Sequence, residues 1–359
     1  MENRMIRVAI TQGDTNGIGY ELIFKVLSDP AILELCTPIV YGSAKVAAYH
    51  RKALNMQANF SIISKAQDAQ DGRVNLLNTI DEEVKVDLGT PTPESAKASS
   101  LSLDRAMSDW QDGLFDVLVT APVNAESLSG KPLCEYLAEA AGNKGKTLDI
   151  LSCDGLHLAI LASGAPVSAA AAQITKDNVT EKAIMFFQSL KRDLRINNPR
   201  IALLTYNPVA GKEEEEVLVP VTDELREQKV YAFGPFAADQ FFATGAYSSF
   251  DGVLAMYHDQ GVIPFNILTE SRGVHLTAGL PGIHVSPSVG PCFEIAGKGV
   301  ADESSLRNAI YSAIDACRAR QNYDEPLVNP LKKLYHERRD DSEKVRFTIP
   351  KKQENAPKE

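Results

Sequence analysis

Short apolar runs alternate along this chain with longer amphipathic stretches, and polar Gly/Pro-rich segments separate them. Arg7–Ile10 is a short strand candidate, followed by the turn Gln12–Gly19 and a helix over Tyr20–Leu27. Pro38–Gly42 reads as a second strand and turn, and the Ser43 hydroxyl can cap a helix reaching about Ala53. Ser95–Gln111 is a long helix candidate, and Asp116–Pro122 is a buried strand ending in a loop. Leu156–Ala162 and Arg200–Thr205 read as strands, with a helix near Val179–Leu190 between them. Gly252–Tyr257 is another strand, and Leu306–Gln321 is the last strong helix. The alternation predicts an α/β architecture with a largely parallel or mixed sheet.

Length changes this picture by predicting two α/β lobes for 359 residues. Residues 1–125 with 290–336 are expected to form the first lobe and 126–289 the second. The polar, charged stretch 337–359 is expected to be a flexible tail. Lys212–Glu216 reads as a charged surface loop. The net charge of −10 argues against nucleic acid or an anionic membrane as partner. It leaves an anionic small substrate open, because a local pocket can be positive on an acidic protein. Cys36, Cys134, Cys153, Cys292 and Cys317 are scattered without a Cys-x-x-Cys pair, which points to free thiols in a reducing compartment. With no signal-peptide pattern and no apolar span of membrane length, the expected location is the cytoplasm.

The candidate chemistry centres on Leu254–Gly261, where an apolar run stops at His258, Asp259 and Gln260. A strand ending there delivers an imidazole and a carboxylate into a cleft, so His258 and Asp259 are the catalytic candidates. His258 can ligate a metal, and Asp259 can hold or share it. The plain alternative is a strand end with a polar turn. Gly13–Gly19 lies between a strand and a helix, where backbone N–H groups can face an anion. Its spacing matches neither a dinucleotide fingerprint nor a Walker loop, so a structural turn explains it equally well. Val119–Asn124, Tyr206–Gly211 and Thr277–His284 are further loops after strands. The four loops are expected to gather on one rim of the sheet.

Taken in order, these motifs resemble the 4-hydroxythreonine-4-phosphate dehydrogenase family of pyridoxal phosphate biosynthesis. The resemblance runs from about Arg7 to Arg320 through Gly13-Asp14, Gly17–Leu22, Val119–Asn124, Asn207–Gly211, Gly234-Pro235, Ala238-Asp239, Leu254–Gly261 and Thr277–Pro281. It implies a two-lobed subunit like that of the isocitrate and isopropylmalate dehydrogenases, a homodimer, and a site near the subunit interface. It also implies oxidation and decarboxylation of a small phosphorylated substrate with NAD or NADP. A divalent metal (zinc, magnesium or cobalt) held by three histidines serves as Lewis acid.

Residue by residue, the chain departs from that pattern. The family's third metal histidine is matched by His258, but the second falls on Val209 and the first on Gly164. A substrate-binding His-Thr pair is matched by Leu133 and Cys134, and a phosphate-binding lysine by Asn266. A substrate asparagine becomes His275, an arginine becomes His284, and an Asp-His-Gly-Thr run becomes Ser288–Pro291. The resemblance thus gives Leu133, Cys134, Asn266, His275 and His284 as substrate-pocket positions. His275 and His284, with Asp259 or Glu294, are possible helpers of His258 in a replacement metal site. Lys131, Lys212 and Arg272 lie in or near the loops where a substitute cation is needed. Three readings follow: the family dehydrogenase with an altered site, an enzyme with another substrate, and a non-catalytic dimer that binds a ligand or partner.

Overall fold

A computed structural model describes residues 4–80 and 82–330. The expected tail therefore lies outside the described residues. The chain begins with strand β1 (Ile6–Thr11), helices α1 (Gly19–Leu27) and α2 (Pro30–Leu35), β2 (Cys36–Gly42), α3 (Ala44–Ala53), β3 (Ser61–Ile63) and β4 (Asn75–Asn78). It continues through α4 (Pro93–Gln111), β5 (Val117–Thr120), α5 (Leu133–Ala140), β6 (Leu148–Cys153), β7 (Leu156–Ala162), α6 (Val167–Ala170) and α7 (Lys176–Arg192). Then come β8 (Arg200–Leu204), α8 (Val219–Glu227), β9 (Tyr231–Phe236), α9 (Ala238–Ala243) and β10 (Gly252–Tyr257). The last elements are α10 (His258–Thr269), β11 (Val274–Ala278), β12 (Ile283–Pro287) and α11 (Ser304–Val328). No helix among the described residues is long and apolar enough to cross a membrane.

Local chemistry explains several boundaries. Ser43 caps α3 by accepting from the Val46 amide, as its sequence position predicts. Thr92 and Ser95 form a reciprocal capping box, and Pro93 starts α4 where its missing N–H costs nothing. The Tyr257 boundary of β10 matches the sequence reading, but the chain then enters α10 at once.

The twelve strands among the described residues form one mixed sheet in the order β3-β4-β2-β1-β5-β12-β11-β6-β7-β10-β8-β9. β1, β2, β5 and β12 are mutually parallel along this order. β11 is antiparallel to both β12 and β6, and β6 is antiparallel to β7. β7, β10, β8 and β9 are again parallel to one another. The three antiparallel pairings between β12 and β7 reverse the direction an odd number of times, so β5 and β10 run in opposite directions.

This topology corrects the expectation of four loops on one rim. The loops after β1 and β5 leave one edge of the sheet, and those after β8 and β11 leave the other. A second correction concerns Thr277–His284, read as a loop: Thr277 belongs to β11 and His284 to β12. The third is Lys212–Glu216, read as a charged surface loop. Glu214 there is buried and opens a single π-helical turn, Glu214–Leu218. Its carboxylate accepts from the amides of Tyr206 (2.8 Å), Asn207 (2.9 Å) and Gly211 (2.7 Å). Burial acts to raise its pKa, but these donors outweigh it and hold the carboxyl below its ordinary value. Glu214 thus folds the loop after β8 around its own charge.

Alternation along the strands divides the apolar residues between the two faces. One face carries a single core that joins Val8, Val119, Ile150, Leu254, Leu276 and Val285 to α1, α7, α8 and α11. The opposite face carries two separate cores. One packs Tyr41 and Leu118 against α4 and α5, and the other packs Leu158 and Ala255 against α9 and α10. The middle strands β12, β11 and β6 lie between them, where polar side chains face a cavity.

Candidate active site

The cavity has a volume of about 370 Å³. Its floor follows from strand period: Thr120 on β5, Asp149 on β6, His275 and Thr277 on β11, and His284 and Ser286 on β12 all line it. Their sequence neighbours Val119, Ile150, Leu276 and Val285 point to the opposite core. The walls include Leu133 and Cys134 at the start of α5, Gly164 after β7, His258 at the start of α10, and Ser288–Gly290.

Two hydrogen-bonded units occupy the floor. His275 Nδ1 lies 3.0 Å and 3.2 Å from the two Asp149 carboxylate oxygens, and its Nε2 is 3.4 Å from Ser288 Oγ. Burial disfavours the imidazolium, but the Asp149 charge and its hydrogen bond outweigh that and raise the His275 pKa. His284 is buried between two hydroxyls, with Nε2 3.0 Å from Thr120 Oγ1 and Nδ1 2.9 Å from Thr277 Oγ1. Burial pushes its pKa down to about 3, with Asp149 opposing and His275 adding to the fall. A neutral imidazole donates from one nitrogen and accepts at the other, so one threonine donates to His284 and the other accepts. Beside them, burial raises the Cys134 thiol to about 12, with the Asp149 charge adding, which disfavours the thiolate.

Asp149 was not among the residues singled out by sequence. Its only signal is a carboxylate placed within the apolar run Leu148–Leu151. Buried Lys182 on α7 supports it indirectly. The ammonium donates to the Thr147 carbonyl and to that of Gly145 at 3.2 Å, fixing the chain that enters β6.

The structure brings His258, His275 and His284 to one cavity, together with Leu133 and Cys134. It does not bring Asp259, Asn266 or Glu294 to the lining. Asn266 lies on α10, one turn beyond Val262, and Glu294 is exposed in the short helical turn Phe293–Ile295. His258 and Asp259 are more than half exposed and pair with each other at 2.9 Å. Gln260 faces inward, accepting from the Met256 amide (2.8 Å) and donating to the Thr205 carbonyl (2.6 Å), and so ties β10 to the end of β8.

The side chains present do not fit a three-histidine metal centre. Gly164 has φ +72°, and a Cβ built there would lie 2.2 Å from Pro132 Cγ, so no larger residue fits without moving the cavity wall. Val209 is 79% exposed and carries no donor. Among the described residues no group of three His, Cys, Asp or Glu is placed to share an ion. Gly164→Ala is expected to lower the unfolding free energy by about 1–3 kcal/mol, read as a fall in the urea midpoint. A neutral result would show that Pro132 yields. The Gly13–Gly19 turn is also unsuited to an anion: Ile18 donates its amide to the Pro291 carbonyl at 3.0 Å, and the whole turn is buried. It is a structural turn.

A mixed α/β sheet with a polar cavity across its middle strands defines the class, an α/β fold with a concave site of small-ligand size. Residues 34–313 match the family model described as pyridoxal phosphate biosynthetic protein PdxA. The chain is 48% identical over 358 residues to a 4-hydroxythreonine-4-phosphate dehydrogenase of Bacteroides thetaiotaomicron, covering 97% of this chain and 98% of that one. It is 33% identical to one of Sulfurihydrogenibium sp., covering 88% of this chain and 100% of the relative. The solved 4-hydroxythreonine-4-phosphate dehydrogenase of Klebsiella pneumoniae superposes with a TM-score of 0.73 at 26% identity, over 88% of this chain and 99% of that one. The chain therefore belongs to the 4-hydroxythreonine-4-phosphate dehydrogenase (PdxA) family.

Proposed function

We propose that this chain is a diverged family member that binds a small hydroxylated ligand in the cavity over β6, β11 and β12 and does not carry out the family's metal-dependent oxidation. The observation that carries the reading is Gly164 packed against Pro132, at the position the resemblance gives to the first metal histidine. The floor chemistry agrees. Alcohol oxidation needs a group ready to take the hydroxyl proton. His284 holds a proton too weakly, and His275 has its Nδ1 engaged by the Asp149 carboxylate. Asp149 is engaged by His275. The anchoring charge pair is Asp149–His275, and His284 is a neutral strut between two threonines.

NAD or NADP belongs to this reading only through the family. If a metal binds, His258 is its anchor, with His275 and His284 as helpers. We further propose a homodimer built on the exposed apolar residues of α10, where Ile263, Ile267 and Leu268 are 56%, 73% and 43% exposed.

Elemental analysis of the zinc-loaded protein tests the central claim, alongside calorimetric titration with 4-hydroxythreonine and its 4-phosphate. Metal well below one ion per chain, together with saturable ligand binding, is expected. Stoichiometric zinc that is lost in His258→Ala would overturn the metal-free reading.

A further inference from the structure

The charge of the cavity bears on its ligand. Among the described lining residues there is no Lys or Arg. The cations of the adjoining loops lie outside the lining, beside carboxylates of their own. Lys131 pairs with Glu139, Lys212 lies 3.7 Å from Glu216, and Arg272 lies 3.8 Å from Glu270. Lys182 spends its ammonium on two backbone carbonyls. Two helices begin at the cavity, and a helix start attracts anions. Each of these already carries a carboxylate in its first turn, Glu135 in α5 and Asp259 in α10. The one ionisable nitrogen base on the floor that faces a carboxylate, His275, is paired with Asp149 at 3.0 Å. A phosphate dianion entering here meets no Lys or Arg from this protomer's lining, and α10, the proposed dimer seam, carries none either, so the groups that offset its desolvation are missing.

Hydroxyl groups are plentiful by contrast. Thr120, Thr277 and Ser286 line the floor and Ser288 the wall; Thr120 and Thr277 also bond His284, and no hydrogen bond to Ser286 Oγ is found among the described residues. The Nε2 edge of His275 has only a long contact with Ser288, at 3.4 Å, and is left to donate to a ligand oxygen. Such a set recognises hydroxyls and a single carboxylate.

We infer that this cavity selects a small hydroxy acid without a phosphate group. The inference rests on the proposed reading of the cavity as the ligand site and changes the substrate class within it. Gly290 supplies a test by gain of function. It lies exposed on the cavity wall, no atom falls within 4 Å of a Cβ built there, and its φ is not in the left-handed range. Gly290→Lys therefore adds an ammonium at the rim without strain.

The experiment is isothermal titration of the full chain, wild type and Gly290→Lys, with 4-hydroxythreonine and with its 4-phosphate. The wild type should bind the unphosphorylated compound at least as tightly as the phosphate. Gly290→Lys should tighten the phosphate alone by about tenfold. Wild-type preference for the phosphate by tenfold or more overturns the inference and leaves the cavity as ligand site. An unchanged preference in Gly290→Lys also overturns it, by placing the phosphate outside this cavity. If neither compound binds the wild type, the reading of the cavity as the ligand site falls, and the inference falls with it.

Discussion

With 4-hydroxythreonine 4-phosphate, NAD and added zinc or magnesium, this protein is expected to form reduced nicotinamide at least about 100- to 1000-fold more slowly than an intact family member. That span is the typical cost of losing one electrostatic stabiliser, and the resemblance sets non-ligating residues such as Gly164 and Val209 at several family positions together. Such losses do not add, so the lower bound is the useful figure. Gly164 has no room for a ligand beside Pro132, and Val209 points into solvent. His258 alone, half exposed and paired with Asp259, cannot supply the usual coordination sphere. The measurement is absorbance of reduced nicotinamide under saturating substrate, with the B. thetaiotaomicron relative run in parallel. Turnover within tenfold of that relative would show that other groups replace the missing ones.

Strands β1, β2, β5, β7, β8 and β10 and helices α1, α3, α4, α7 and α11 were legible because their apolar runs are uninterrupted or their caps are explicit, as at Ser43 and Gly252–Tyr257, whereas the outermost strands β3, β4 and β9 were not. Nor were the central strands β6, β11 and β12. Each alternates apolar residues with Asp149, His275, Thr277, His284 or Ser286, and polar side chains at every second position disguise a strand whose polar face lines a cavity. The residues that build the site are thus the ones that hid its scaffold. Glu214 escaped for a related reason: five residues of Lys212–Glu216 are charged, and only the fold shows that one of them turns inward. The α10 helix was masked by Gly261 and Pro264, both poor helix formers. Asn266 illustrates the limit of motif transfer, since a matching position in the chain did not place its side chain in the cavity.

Stability should fall steeply on mild acidification. His50, His157 and His284 are buried and neutral, and burial lowers the pKa of each, to about 4 for His157 and about 3 for His284. The unfolded chain takes up protons near the ordinary value of 6.5 while the folded one does not, so stability is full above that pH and is lost as pH falls below it. At roughly 1.4 kcal/mol per unit for each group, His157 and His284 together remove on the order of 3–4 kcal/mol between pH 6.5 and 5. His275 does not compensate. Its raised pKa gives a contribution that is complete below the ordinary value and disappears as pH rises through the folded one. Urea midpoints measured from pH 7.5 to 5 read this directly. His157→Gln should flatten the profile, and an unchanged midpoint across the range would mean that these imidazoles charge freely in the folded state.

The unbroken sheet beneath the cavity has a mechanical consequence. A cleft between hinged bodies opens by parting them, and its two walls move with their own cores. Here the wall beside α5 and the wall beside α10 stand on strands laced together through β5, β12, β11, β6 and β7. Parting them means shearing backbone hydrogen bonds, so the floor is expected to resist separation and to hold Thr120 and Asp149 in one sheet before any ligand arrives. Compliance belongs to the segments above it, Pro132–Cys134, Ser163-Gly164 and Ser288–Gly290, which no strand holds. Such a site grips from the top, with its polar groups already in register.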